Sequence, residues 1–190
     1  MRDQSWTNLT AVPYILFTRG IRAGESLWSM AVSSDPPFVA GRPLTRAALA
    51  WARQLHGGQV RDMDHAPFIL HPLEVGALLS GRRFDDEVVA AGLLHDAVED
   101  TGAGVEDIRL RFGDRVARIV AELTENRAIA DYGERKAALR AQVADAGADA
   151  HAVYAADKVV EARELRAQAA RAERLLDEPD LRRRLAPGEP

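Results

Sequence analysis

Leu93-Leu94-His95-Asp96-Ala97-Val98-Glu99-Asp100-Thr101 is the stretch on which the reading of this chain turns. An imidazole and three carboxylates occupy six consecutive residues at the end of an apolar run, more polar chemistry than a packed core tolerates. On a continuous helix His95 and Glu99 are four residues apart, as are Asp96 and Asp100, so two adjacent rows would carry ligand-type side chains toward one cavity. Neutral imidazole and carboxylate suit a borderline or hard divalent cation. Taken alone, a His-Asp pair is more often a helix end with solvated acidic residues.

Two distant positions change that weighting. In Phe68-Ile69-Leu70-His71-Pro72-Leu73 a histidine precedes a proline suited to the first turn of a helix. In Val153-Tyr154-Ala155-Ala156-Asp157-Lys158-Val159-Val160 a single carboxylate stands in a small, apolar helical segment, where an unpaired charge is costly. His71 alone reads as a capping or packed histidine, and Asp157 alone as the partner of Lys158 or Arg163. Together His71, His95, Asp96 and Asp157 form a donor set spread over three helices, enough to surround one metal ion and leave room for water.

The order and spacing of these motifs resemble the HD-domain metal-dependent phosphohydrolases, and among them the hydrolase domain of the RelA/SpoT alarmone enzymes and the stand-alone small alarmone hydrolases. The resemblance runs over residues 44–165. It passes through Leu55-His56-Gly57-Gly58-Gln59-Val60-Arg61, Pro67-Phe68-Ile69-Leu70-His71-Pro72, Leu94-His95-Asp96-Ala97-Val98-Glu99-Asp100-Thr101, Phe112-Gly113-Asp114, Leu123-Thr124, Glu134-Arg135-Lys136 and Ala156-Asp157-Lys158. It implies an all-α, HD-domain helical bundle in which His71, His95, Asp96 and Asp157 hold the metal, manganese in characterised relatives. Glu99 and Asp100 would be catalytic, and the reaction would remove pyrophosphate from the 3′ position of guanosine tetra- or pentaphosphate. Arg61, Lys136 and Glu161 fall at positions expected to face the substrate, Arg61 by stacking on the base.

The chain also departs from the family pattern. Asp62 follows Arg61 where a lysine is usual, Phe68 replaces a tyrosine, Tyr154 takes the place of a lysine, and Glu161 takes that of an asparagine lining the nucleotide pocket. Extra negative charge beside a polyphosphate costs on the order of a few kcal/mol per contact at ~4 Å and an effective dielectric of ~20, unless a cation intervenes. The expected activity is therefore (p)ppGpp 3′-pyrophosphohydrolysis. The alternatives are a phosphohydrolase acting on another nucleotide or a phosphorylated cofactor such as NADPH, and a non-catalytic helical nucleotide-binding module.

Composition fits a compact enzyme. At 190 residues and 47% hydrophobic content, one core of ordinary domain size can form, so the synthetase and regulatory domains of the long alarmone enzymes are not expected. With no cysteine, histidine and carboxylate are the strong metal donors available. A formal charge of −4 offers nucleic acid no general attraction. Lysine occurs only at positions 136 and 158, against 23 arginines. Oligomeric state is left open.

Helical periodicity predicts helices over 43–56, with Leu44, Ala48, Trp51 and Leu55 on one face, then 72–80, 85–98, 104–112, 114–125, 131–146 and 149–176. His56 is expected to hydrogen-bond at a helix end. Residues 1–41 do not conform to this pattern and read as an N-terminal extension, a candidate for disorder, with Met30 an alternative start. The HD domain is expected over 42–178 and a flexible tail over 179–190. Residues 11–17 are too short to span a bilayer and lack the layout of a signal peptide, which predicts a cytoplasmic protein without membrane association.

Overall fold

The computed structural model describes residues 34–176 apart from Met63. The readings placed on 1–33 and 179–190, including the alternative start at Met30, lie outside the described residues. Helix α1 spans Pro43–Leu55 and opens on a proline, with no cap from its own Arg42. The carboxylate of Asp86, far along the chain, accepts instead from the amides of Leu44 (3.1 Å) and Thr45 (2.9 Å) and from the Thr45 hydroxyl. Those first-turn amides have no partner inside the helix, so the cap is tertiary. The buried face of α1 is Thr45, Ala48, Leu49 and Ala52. Leu44, Trp51 and Leu55, expected at its centre, are half-buried flanks, because the small alanines let α1 approach its neighbour closely.

Helix α2 spans Leu70–Gly81, starting two residues before the sequence suggests, with Pro72 still inside its first turn. Helix α3 (Asp86–Leu94) is capped by Asp85, whose side chain accepts from Val88 N at 3.0 Å. Every residue from Val88 to Leu94 is buried, as expected of a helix that is apolar all round. It packs against α1 and α2, and against two later helices: α6 (Asp114–Leu123) and α8 (Ala148–Leu176).

Two glycines bring α2 and α3 close. A Cβ on Gly92 would lie 2.4 Å from Leu79 Cδ1, and one on Gly76 would lie 2.9 Å from Leu93 Cδ2. Because the two helices run antiparallel, this contact brings the start of α2 beside the end of α3, and with it His71 beside His95.

The predicted helix 85–98 is broken. After α3, His95 and Asp96 form a turn, and a short helix α4 (Ala97–Asp100) follows. His95 Nδ1 lies 2.9 Å from the carbonyl of Gly92, the oxygen that an unbroken helix would offer to the amide of Asp96. The four-residue rows expected on one continuous helix are therefore split across two.

The remaining elements are α5 (Val105–Phe112), α6, α7 (Tyr132–Asp145) and α8. Gly113, at φ +89, turns the chain between α5 and α6. Helix α6 buries Val116, Ala117, Ile119, Val120 and Leu123, the spacing of one helical face. Helix α8 buries Ala150, Val153, Ala156, Asp157 and Val160. Arg115 ties three starts together, reaching Asp85 and Glu87 at 2.8 Å and Asp149 at 2.9 Å. Among the described residues the β pairing is one isolated bridge, Val60 with Pro67, so the architecture is the expected all-α helical bundle. It begins earlier than residue 42: Pro37–Val39 form a 3₁₀ turn whose Val39 enters the core.

Candidate metal centre

Three helices deliver the predicted donors to one point. His71 comes from the first turn of α2, His95 and Asp96 from the break after α3, and Asp157 from the buried face of α8. His71 Nε2 lies 3.3 Å from His95 Nε2, 3.2 Å from Asp157 Oδ1 and 3.7 Å from Asp96 Oδ2. His95 Nε2 lies 3.2 Å from Asp96 Oδ2 and 3.7 Å from Asp157 Oδ1. The ligand atoms of His71, His95 and Asp157 all fall within 4.8 Å of one another. Donors bound at ~2.1 Å to one ion, at tetrahedral to octahedral angles, stand roughly 3.0–3.4 Å apart. The separations of 3.2 and 3.3 Å lie in that range and the two of 3.7 Å just beyond it, so the set could close on a divalent cation with small side-chain shifts.

Each imidazole is oriented through its other nitrogen. His95 Nδ1 faces the Gly92 carbonyl, and His71 Nδ1 lies 3.2 Å from Glu164 Oε1. Both arrangements turn Nε2 toward the shared centre. The cluster attracts positive charge. Burial works against a charged His71, but hydrogen bonds to Asp157 and Glu164 and the charge of Asp96 push it up to about 10. His95 is raised in the same way, against its burial, by Asp96 and Asp157. Burial also opposes ionisation of Asp157, yet the two imidazoles hold its carboxyl far below the usual carboxylate range.

A cavity opens beside the donors, and its walls include Glu99, Glu125, Lys136, Tyr154, Lys158 and Glu161. Glu99 Oε1 accepts from the amide of Glu125 at 2.7 Å. Burial raises its carboxyl above the ordinary value, helped by the charges of Glu125 and Asp96. Asp100 is raised for the same two reasons, burial and Asp96, but it is exposed and lies outside this wall. Lys136 is paired with Glu125, which also binds Arg135 at 2.7 Å. Lys158 bridges Asp157 Oδ2 at 3.0 Å and Glu161 at 2.8 Å. Asp157 thus meets imidazoles on Oδ1 and, on Oδ2, Lys158, one of the two cations that the sequence offered as its partner.

Both lysines of the chain line this cavity. Against them stand the carboxylates of Asp96, Glu99, Glu125, Asp157 and Glu161, an excess of negative charge that a polyphosphate can approach only with a cation present.

Arg61 is not brought to the cavity. Its guanidinium is held by Asp64, at 2.6 and 3.1 Å, and by Glu164 at 2.6 Å. His56 caps α1 as expected, its Nδ1 2.7 Å from Gln59 Oε1. Glu125 and Glu164 were not singled out from the sequence. Glu164 carried a faint signal, lying seven residues after Asp157 and so on the same helix face.

A family model described as an HD domain matches residues 48–179. The chain belongs to the HD-domain family. It is 38% identical over 122 residues to the guanosine-3′,5′-bis(diphosphate) 3′-pyrophosphohydrolase MESH1 of Xenopus tropicalis, covering 63% of this chain and 68% of that protein. It is 42% identical over 78 residues to a guanosine-3′,5′-bis(diphosphate) 3′-pyrophosphohydrolase of Aquifex aeolicus, covering 41% of this chain and 11% of that longer protein. The chain thus spans about a tenth of the long relatives and about two thirds of the short one. Among solved structures, one described as a metazoan orthologue of SpoT that hydrolyses ppGpp superposes with a TM-score of 0.61 at 30% identity, over 71% of this chain and 74% of that one. HD domains are metal-dependent, and the His71, His95 and Asp157 cluster is where this chain would hold the ion.

Proposed function

We propose that this HD domain is a Mn²⁺-dependent phosphohydrolase that removes the 3′-pyrophosphate of guanosine 3′,5′-bis(diphosphate) in the cytoplasm. The observation that carries the reading is a donor set, His71, His95 and Asp157 with Asp96 beside them, opening onto a cavity lined by Glu99, whose carboxyl burial shifts upward, and by two lysines. A divalent ion bound there lowers the pKa of water and neutralises phosphoryl oxygens.

The side chains supply the rest. Glu99, fixed through Oε1 by the Glu125 amide, keeps Oε2 for the reacting water and takes its proton as the water oxygen bonds to phosphorus. The bond from phosphorus to the 3′ oxygen breaks, and that oxygen leaves as a hydroxyl once protonated. Glu99, having taken the proton of the attacking water, returns it to that 3′ oxygen. Asp100, outside the wall, supports α4 and the local field without touching the reacting atoms. Lys136 and Lys158 contact phosphate oxygens as compact point charges, and Glu161 sets what can lie beside Lys158.

A second reading keeps the chemistry and changes the substrate, to another nucleotide or a phosphorylated cofactor such as NADPH. Its support is that Glu161 lines the cavity while Arg61, expected to stack on the base, does not. The test is product analysis of the purified protein with Mn²⁺ on guanosine tetraphosphate, NADPH and common nucleotides, with a Glu99→Gln control. Pyrophosphate and GDP from guanosine tetraphosphate support the first reading. Orthophosphate from another substrate, with none of the alarmone consumed, supports the second.

A further inference from the structure

Arg61 and Glu164 lie 103 residues apart in sequence and meet behind the metal donors rather than in front of them. Glu164 Oε1 accepts from Arg61 Nη1 at 2.6 Å and faces His71 Nδ1 at 3.2 Å, so one oxygen serves both groups. Arg61 is itself clamped: its Nε and Nη2 reach the two oxygens of Asp64 at 3.1 and 2.6 Å. Asp64 Oδ1 also accepts from the amide of Ala66 at 3.1 Å. The loop carrying Arg61 and Asp64 is closed by main-chain bonds, Arg61 N to Ala66 O at 2.8 Å and Phe68 N to Gln59 O at 3.0 Å. The side chains of Arg61 and Glu164 are each 14% exposed and that of His71 8%. A continuous chain of ionic hydrogen bonds therefore runs from the loop through Arg61 and Glu164 to the back of His71.

His95 provides the contrast. Its Nδ1 is met by a main-chain carbonyl that belongs to its own helix, so its orientation is local. No such acceptor meets His71, which depends on a carboxylate from α8. Asp157 and Glu164 stand two helical turns apart on one face of α8, so this helix supplies one donor to the centre and aims another.

Resting on the metal-centre reading above, we propose that Glu164 is a positioning residue that holds His71 with Nε2 on the metal, and that Arg61 acts through Glu164 instead of through the substrate base. An arginine with three of its N–H groups committed to two half-buried carboxylates and little exposed surface is poorly placed to stack on a nucleobase. The Asp64 clamp holds it there.

The experiment is calorimetric titration of the metal-free full chain with Mn²⁺, comparing wild type with Glu164→Gln, Glu164→Ala, Arg61→Ala and Asp157→Ala, with circular dichroism to confirm folding. Loss of an outer partner of a metal-bound histidine weakens binding by about 10- to 100-fold. That loss is expected for Glu164→Ala, a smaller one for Arg61→Ala, and partial rescue for Glu164→Gln, whose amide oxygen still accepts from Nδ1. In the Zn²⁺-loaded protein, the His71 Nδ1 proton resonance should be present in wild type and Glu164→Gln and lost in Glu164→Ala. Unchanged affinity in Glu164→Ala, with weakened binding in Asp157→Ala, would overturn the positioning role and leave the metal centre standing. Unchanged affinity in Asp157→Ala as well would overturn both. A raised KM in Arg61→Ala with unaltered Mn²⁺ affinity would return Arg61 to the substrate.

Discussion

Glu99 and Asp100 are neighbours in sequence with different surroundings. Glu99 lines the cavity and has one oxygen fixed by a main-chain amide, whereas Asp100 is exposed beyond the wall. Glu99→Gln is expected to lower kcat by about 10²- to 10⁴-fold, the usual loss for a general acid–base group, with Mn²⁺ affinity unchanged. Asp100→Asn is expected to cost less than about tenfold. Steady-state kinetics alongside metal titration checks both, and an equal loss from the two would contradict the division of roles. His71 gives a pH prediction for the metal-free protein. Its folded value is raised from 6.5 to about 10, so the stability it contributes is complete below pH 6.5 and is lost as pH rises toward 10. The melting temperature of chelator-treated protein should fall through that window. The slope should be shallower in His71→Gln, where His95 is still raised by Asp96 and Asp157, and shallower again when Mn²⁺ takes the place of the proton. A flat wild-type profile would count against the His71 and Asp157 pairing.

Among the elements, the antiparallel contact of α2 and α3 does most to place the site, because it alone brings His71 and His95 to 3.3 Å. Gly92→Ala would drive a methyl group to 2.4 Å from Leu79 Cδ1, and Leu79 is itself only 1% exposed. Either the Leu79 side chain is forced into another rotamer within the core or the helices separate, at a cost of about 1–3 kcal/mol as for other overpacked cores. Denaturant unfolding should show that loss together with weakened Mn²⁺ binding, since the two histidines move with their helices. Adding Leu79→Ala to Gly92→Ala should recover part of the metal affinity by giving the methyl group room. If Gly92→Ala left both stability and metal binding intact, the close approach would not be setting the histidine separation.

Across the molecule, an ion held by His71, His95 and Asp157 would join α2, the α3 break and α8, elements far apart in sequence. Metal binding should therefore act as a tertiary cross-link. At a free Mn²⁺ concentration of 100 times Kd, linkage stabilises the folded state by about 2.7 kcal/mol. A chelator should lower the melting temperature accordingly, Asp157→Ala should be insensitive to added metal, and thermal unfolding with and without Mn²⁺ measures both effects. An unchanged wild-type melting temperature would show that the donors do not share an ion.

Residue chemistry by itself determined much of this protein. A divalent cation needs imidazole and carboxylate, and a buried charge in an apolar helix needs a partner, so His71, His95, Asp96 and Asp157 were legible as a set before any coordinates. Helical periodicity likewise located most of the bundle. Tertiary structure decided what local pattern cannot carry. The His95 side chain captures the Gly92 carbonyl and breaks a helix that periodicity runs through. Asp86 caps a helix some forty residues away. Glu125 fixes Glu99 through a main-chain amide that any residue could supply. Arg61 turns away from the cavity because two carboxylates, one from its own loop and one from α8, meet it in the folded chain. Ligand type is a property of a side chain and is written in the sequence, whereas the partner of a charged group depends on which distant segments packing brings within about 3 Å.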